Sequence, residues 1–192
     1  MTKTAFLIVD VQNDFIEGGS LGVTGGERVA IDVANHLNNT NRYNYVITTQ
    51  DWHIDPGNHW AETPDYVDTW PVHCAAGTTG ADIHEELNMA LEATTIPRVK
   101  IFKGEYVAAY SGFEGRVEGV DNVTVAEHLK ALGITKLTVV GIATDHCVKE
   151  TVLHALAAGF KVNVVTSMVA GVDPDRSVEA LNAMRNAGAV TI

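Results

Sequence analysis

Among the side chains of this sequence, a cysteine thiolate is the one best able to attack a carbonyl, and Cys147 stands where its reactivity would be favoured. It lies in LTVVGIATDHCVKETVLHALAAG, Leu137 to Gly159. A β-branched apolar run, Leu137 to Val140, is followed by Gly141-Ile142-Ala143-Thr144-Asp145. Apolar residues at Val148, Val152, Leu153 and Leu156 then recur at helical spacing until Gly159. The pattern predicts a strand, a tight turn and a helix, with Thr144 or Asp145 as the cap. Cys147 then falls in the first turn, where unpaired N–H groups and the positive dipole end favour a thiolate. A cysteine is equally at home as a small buried residue, so its neighbours must decide between nucleophile and filler.

Thiolate attack on a carbonyl needs a group that takes and returns a proton, a counter-charge and donors for the oxyanion. Asp10 closes the apolar run Thr4 to Val9, and Lys103 closes a second, Val99 to Phe102. In a parallel sheet Asp10, Lys103 and Cys147 all leave the carboxyl ends of strands, where α/β sheets gather their ligands. A lysine between two anions is expected to lower the pKa of both the carboxylate and the thiol.

A second constellation is D-x-H-x5-H, formed by Asp51, His53 and His59, with His73 further along the same segment. Residues i and i+2 of extended chain face the same way, so Asp51 and His53 can share an ion while the loop brings His59 and His73 round to it. One carboxylate with three imidazoles suits one divalent transition metal ion, Zn, Fe or Mn, better than Mg or Ca. The other histidines are expected to do less: His36, His84 and His128 on solvated helix faces, His154 packed. His146 adjoins Cys147, but adjacent helical positions point about 100° apart. Cys74 reads as structural.

Positioning these groups falls to six strands, near 4–9, 45–49, 99–102, 137–140, 161–166 and 189–191. They alternate with helices near 27–38, 81–92, 125–132, after 144, and 174–186. That alternation predicts an α/β, three-layer αβα fold with a doubly wound six-stranded parallel sheet and right-handed crossovers. Residues 53–80 form a long irregular loop, which in a compact domain is usually functional. The glycines at 18, 19, 22, 25 and 26 do not make a G-x-G-x-x-G fingerprint between strand and helix.

The net charge of −11 excludes a polyanionic partner as the default, so neither nucleic acid nor an anionic membrane is expected, and a small-molecule substrate is. Hydrophobic content of 46% against 19% charged is ordinary for a globular protein. The N-terminal apolar run is too short for a membrane span and is not a signal peptide. Two cysteines in 192 residues are expected as free thiols, so a cytoplasmic enzyme fits.

The passages DVQNDF with GGSL, DWHIDPGNH, TPDYVDTWPVHC, FKGEYVAAYSGFEG and VVGIATDHCV resemble those of nicotinamidases, also called pyrazinamidases, of the isochorismatase-like cysteine hydrolase family. The resemblance spans the whole chain and implies a single domain over residues 1–192 with the isochorismatase-like hydrolase fold. It implies Cys147 as nucleophile, Asp10 as general base and acid, and Lys103 as their charge partner. The backbone N–H groups of Ala143 and Cys147 would form the oxyanion hole, with a non-proline cis peptide between Ile142 and Ala143. Asp51, His53, His59 and His73 would hold the metal, which in the family receives the substrate's pyridine nitrogen. Phe15, Trp70 and Tyr110 match positions that wall the ring. The implied activity is hydrolysis of nicotinamide to nicotinate and ammonia within NAD salvage, with pyrazinamide as a second substrate, by a monomer or homo-oligomer. Three other readings remain: a family hydrolase for another small amide or a vinyl ether, a metallohydrolase whose ion activates water, and a non-catalytic ligand-binding module.

Overall fold

In the computed structural model, which describes residues 2–192, the apolar run at the N-terminus forms β1, Lys3–Val9, the middle of the sheet. Its side chains alternate: Ala5, Leu7 and Val9 face one hydrophobic core, and Phe6 and Ile8 face the other. A strand covered on both faces has no use for polar alternation, which is why its sequence reads as a continuous apolar run. The remaining strands are β2 Tyr45–Asp51, β3 Arg98–Lys103, β4 Arg116–Val117, β5 Ile134–Ile142, β6 Lys161–Ala170 and β7 Val190–Thr191. Their order is β4-β3-β2-β1-β5-β6-β7.

The helices are α1 Gly26–Asn38, α2 Glu85–Ala93, α3 Val125–Ala131, α4 Lys149–Ala157 and α5 Pro174–Asn186. The buried residues of α1 and α2, among them Val33, Leu37 and Leu87, close one face of the sheet. Those of α3, α4 and α5, among them Leu129, Val152 and Met184, close the other. Local chemistry starts two of these helices. Thr124 and Glu127 form a capping box on α3, and Asp173 caps α5 with Pro174 in its first turn.

The six expected strands are present and pair in parallel. The sheet also gains β4, two residues pairing antiparallel with β3. Too short to carry a period, β4 left no mark in the sequence pattern. The helix expected from Ala81 starts instead at Glu85. Residues 82–84 are taken up by the segment after β1: Asn13 N–H donates to Asp82 O, and His84 N–H donates to Val11 O. The strand order reverses between β1 and β5, and that switch point opens a crevice beyond the carboxyl ends of both strands.

Candidate active site

Asp10 follows β1 in the left-handed region, φ 47°, and turns the chain out of the sheet while remaining fully buried. Across the switch point Gly141, φ 119°, lies against the backbone of Val9 so closely that a Cβ would overlap it. Only glycine lets β5 approach there. The Ile142-Ala143 peptide is cis, as the resemblance implied. The chain then makes a wide turn of π type, Thr144–Val148, with Val148 N–H donating to Ala143 O, before α4 begins. Cys147 lies in that turn.

Neither expected cap is used: Ala143 occupies the cap position and no side chain caps the turn. The Asp145 carboxylate instead accepts from the N–H groups of Val172 at 2.9 Å and Asp173 at 3.1 Å. It thereby ties the β6–α5 connection to the turn bearing Cys147. Ala143, next to the cis peptide, lines the pocket beside Cys147.

Lys103 ends β3 and is fully buried, a position in which a lysine survives only with partners. Its Nζ lies 2.9 Å from Asp10 Oδ2, 3.5 Å from Cys147 Sγ and 3.0 Å from Ala109 O, and it also donates to Asp51 Oδ1. Asp10 Oδ1 accepts from Thr49 Oγ1 at 2.5 Å. The three sequence-predicted groups thus meet at one ammonium. Burial would lower the Lys103 pKa, but Asp10, Asp51 and Cys147 override it and hold the side chain charged.

Lys103 pulls both of its partners down as expected, but it does not win. Burial raises the Asp10 carboxyl and outweighs the ammonium, and the nearby Asp51 charge adds to the rise. Burial also raises the Cys147 thiol, with Asp10 and Asp51 adding to it against Lys103. A single positive charge shared among two carboxylates and a thiol does not suffice to ionise all three. Burial thus holds Cys147 toward the thiol form in the resting site.

Asp51, at the end of β2, faces the second constellation with its other oxygen. Oδ2 lies 3.6 Å from His53 Nε2 and 3.9 Å from His73 Nε2. One ring nitrogen each of His53, His59 and His73 falls within 4.8 Å of the others, and all three rings are buried. His53 Nδ1 lies 2.6 Å from Gly104 O and His73 Nδ1 2.8 Å from Pro71 O. Each Nδ1 therefore carries the proton, and each Nε2 presents a lone pair inward. Gly104, φ 73°, is required here because a Cβ would stand 2.5 Å from the His53 ring.

The two inward Nε2 atoms are 3.3 Å apart with a carboxylate oxygen beside them. Three electron-rich atoms converging without a proton among them fit a cation at the centre. Nitrogens about 2.1 Å from one ion stand roughly 3 to 3.4 Å apart. Burial lowers the His73 pKa, and burial with the neighbouring imidazoles lowers His59 to about 4, so both rings favour the neutral form that can donate a lone pair. The donor set suits a divalent metal ion.

Both constellations adjoin one pocket of about 460 Å³. Phe15, Trp70 and Tyr110 line it as expected, together with Asp51, His59, His73, Ala143 and Cys147. Trp70 Nε1 donates to Tyr110 Oη at 3.0 Å, which fixes the two rings against each other. Asp10 and Lys103 are absent from the wall; they lie behind Cys147, the member of the trio that meets the cavity.

A family model described as Isochorismatase domain matches residues 4–192. The chain belongs to the isochorismatase family. It is 46% identical over 184 residues to the nicotinamidase/pyrazinamidase of Mycobacterium tuberculosis, covering 95% of each chain. Its fold is similar to the pyrazinamidase of Pyrococcus horikoshii in complex with zinc, TM-score 0.82 and 29% identity, over 99% of this chain and 98% of that one. It is also similar to PnC1 of L. infantum in complex with nicotinate, TM-score 0.83 and 31% identity, over 100% and 92%.

This isochorismatase-family pocket contains residues that sequence reasoning passed over. His146, expected to point away, lines the wall 5.4 Å from the Trp70 ring centroid. Leu21 and Val172 come from distant loops and carry no sequence signal. Thr49, which donates to Asp10, is one of two adjacent threonines in the second apolar strand, and nothing in the sequence separates it from Thr48. Among the other histidines, His36 is half-buried against Phe6 and Tyr43 rather than solvated. His154 is exposed, bonded to Ser111 Oγ at 3.1 Å. Cys74 is fully buried away from the trio, as a structural residue should be.

Proposed function

We propose that this protein hydrolyses nicotinamide to nicotinate and ammonia, also accepts pyrazinamide, and does so within one domain through Cys147, Asp10 and Lys103. The observation that carries the reading is the meeting of a thiol with a buried carboxylate and ammonium, the thiol facing a pocket beside a carboxylate and three imidazoles that could hold an ion. The 46% identity to a nicotinamidase/pyrazinamidase supports the substrate. The aromatic walls, Phe15, Trp70 and Tyr110, suit a flat ring.

Asp51, His53, His59 and His73 would hold one divalent ion, Zn, Fe or Mn. When bound, it supplies a Lewis acid for a ring nitrogen, a donor much like imidazole. The protein's residues do the rest. Asp10 takes the Cys147 proton as the sulfur bonds to the carboxamide carbon, a timing that suits a resting thiol and a carboxyl of raised pKa. The charge that moves to the carbonyl oxygen is met by the Ala143 and Cys147 N–H groups. Lys103 keeps a positive charge beside the carboxylate and the sulfur throughout. Asp10 then gives its proton to the amide nitrogen, the C–N bond breaks and ammonia leaves a thioester. Water yields a proton to Asp10 as its oxygen adds to the thioester carbon. The C–S bond breaks, sulfur recovers the proton from Asp10, and the acid ionises to nicotinate.

No helix among the described residues is long and apolar enough to cross a membrane. The free state of both cysteines supports a reducing, cytoplasmic setting, and the charge of −11 supports a small-molecule rather than a polyanionic partner. Ammonia release from nicotinamide tests the function. It is expected from the metal-loaded protein, lost after chelation and restored by a divalent ion. No ammonia from the loaded protein would contradict it.

A further inference from the structure

Asp51 faces both constellations at once, yet the strand that should hold it on one side has already left the sheet. The β1–β2 ladder ends at Val9 and Thr49, because Asp10 in the left-handed region turns the chain away. On its other side Asp51 is paired with Lys103 of β3, and Trp52 N–H donates to Lys103 O at 2.9 Å. The gap on the β1 side is filled by a side chain. Gln12 Nε2 donates to Asp51 O at 2.8 Å and to Ala81 O at 2.9 Å, while Gln12 Oε1 accepts from Asp51 N–H at 2.8 Å. Gln12 is fully buried, and its amide replaces the missing peptide of β1.

We infer that Gln12 is a positioning residue that sets the backbone of Asp51 and, through it, both the ion site and the Lys103 contact. The inference rests on the reading of Asp51 as a metal ligand. Gln12 does not line the pocket, and its side-chain amide is spent on backbone groups. It grips both backbone polar groups of one residue, on either side of its Cα, and the direction in which the Asp51 side chain leaves that backbone decides where its two oxygens fall. One oxygen serves Lys103 and the other faces His53 and His73, so a small rotation of this backbone disturbs both together. An apolar residue at position 12 would leave a buried donor and acceptor free to seek other partners by just such a rotation.

The test is Zn²⁺ affinity by competition with a chromophoric chelator, for wild type, Gln12→Ala and Leu129→Ala. Leu129 is fully buried in the core under α3, so its truncation destabilises the fold away from the site. Gln12→Ala is expected to weaken Zn²⁺ binding by roughly 10- to 100-fold, as loss of support behind a metal ligand does. Leu129→Ala is expected to stay within about twofold of wild type, because distant sites act independently. Wild-type and Gln12→Ala protein binding Zn²⁺ equally well, or equal losses in both variants, would overturn the role. A wild-type protein that binds no Zn²⁺ would instead remove the ion-site reading itself. Should Gln12→Ala not fold, amide exchange on the wild type decides: Asp51 N–H exchanging as slowly as Ile47 N–H supports the bond, and exchange at the rate of a solvent-exposed amide overturns it.

Discussion

Lys103 Nζ stands 3.5 Å from Cys147 Sγ while the same ammonium pairs with Asp10 at 2.9 Å, all three groups being buried. The lysine gathers the trio by charge and pulls the thiol's pKa down, but burial and two carboxylates outweigh it. Deprotonation therefore belongs to the reaction step.

Replacing Lys103 with Met should leave two buried carboxylates without their common partner. Removing one member of a buried ion pair costs about 3–5 kcal/mol. A fall of that size in urea denaturation, with ammonia release below detection, is expected. An unchanged urea midpoint would mean the carboxylates do not depend on this charge.

Asp10→Asn keeps the shape but cannot accept or return a proton. Turnover should fall by roughly 10²- to 10⁴-fold, the range for loss of a general acid–base. Metal content should stay as in wild type, since Asp10 is not among the ligands. Turnover within tenfold of wild type would exclude Asp10 as the base.

His53→Ala and His59→Ala should weaken metal and ring binding together. Nicotinate should compete well against nicotinamide in wild type and isosteric benzoate poorly, and both variants should abolish that difference. If benzoate competes equally in wild type, the ion does not grip the ring and a structural metal loop becomes the better account.

Asp145 supplies a pH signature. Burial would raise its carboxyl, but the His146 ring 3.3 Å away and the Val172 N–H, which donates to it, prevail and hold it at about 2, against an ordinary value near 3.8. A depressed carboxyl stabilises the fold above its unfolded value, and that contribution is lost as pH falls from about 4 through about 2. A shift of this size is worth roughly 2 kcal/mol. Asp145→Asn should be less stable than wild type by about that amount at pH 7, with the gap closing in acid. A gap independent of pH would contradict the clamp.

The meeting of Asp10, Lys103 and Cys147 and the grouping of Asp51 with the three histidines were legible because each stands at the end of an apolar run or on one tight motif, and a parallel sheet brings strand ends together whatever its loops do. The pKa directions were not, since spacing cannot reveal that Asp10 and Lys103 lie wholly behind Cys147. Asp145 looked like a helix cap; its partners, Val172 and Asp173, lie on a loop whose return no local pattern encodes. Gln12 was similarly opaque, because its use depends on β1 ending two residues earlier than β2. The helix start at Ala81 failed for the same reason, tertiary pairing of residues 82–84 overriding an amphipathic pattern.

Covalent catalysis by Cys147 is the central claim, and rapid quenching of the loaded enzyme with nicotinamide, followed by mass spectrometry of the peptide bearing residue 147, tests it most directly. A nicotinoyl thioester on Cys147 is predicted, together with no turnover from a Cys147→Ala variant that retains its metal. Turnover by Cys147→Ala, with no adduct on the wild-type peptide, would contradict the account and leave water activated at the ion as the nucleophile.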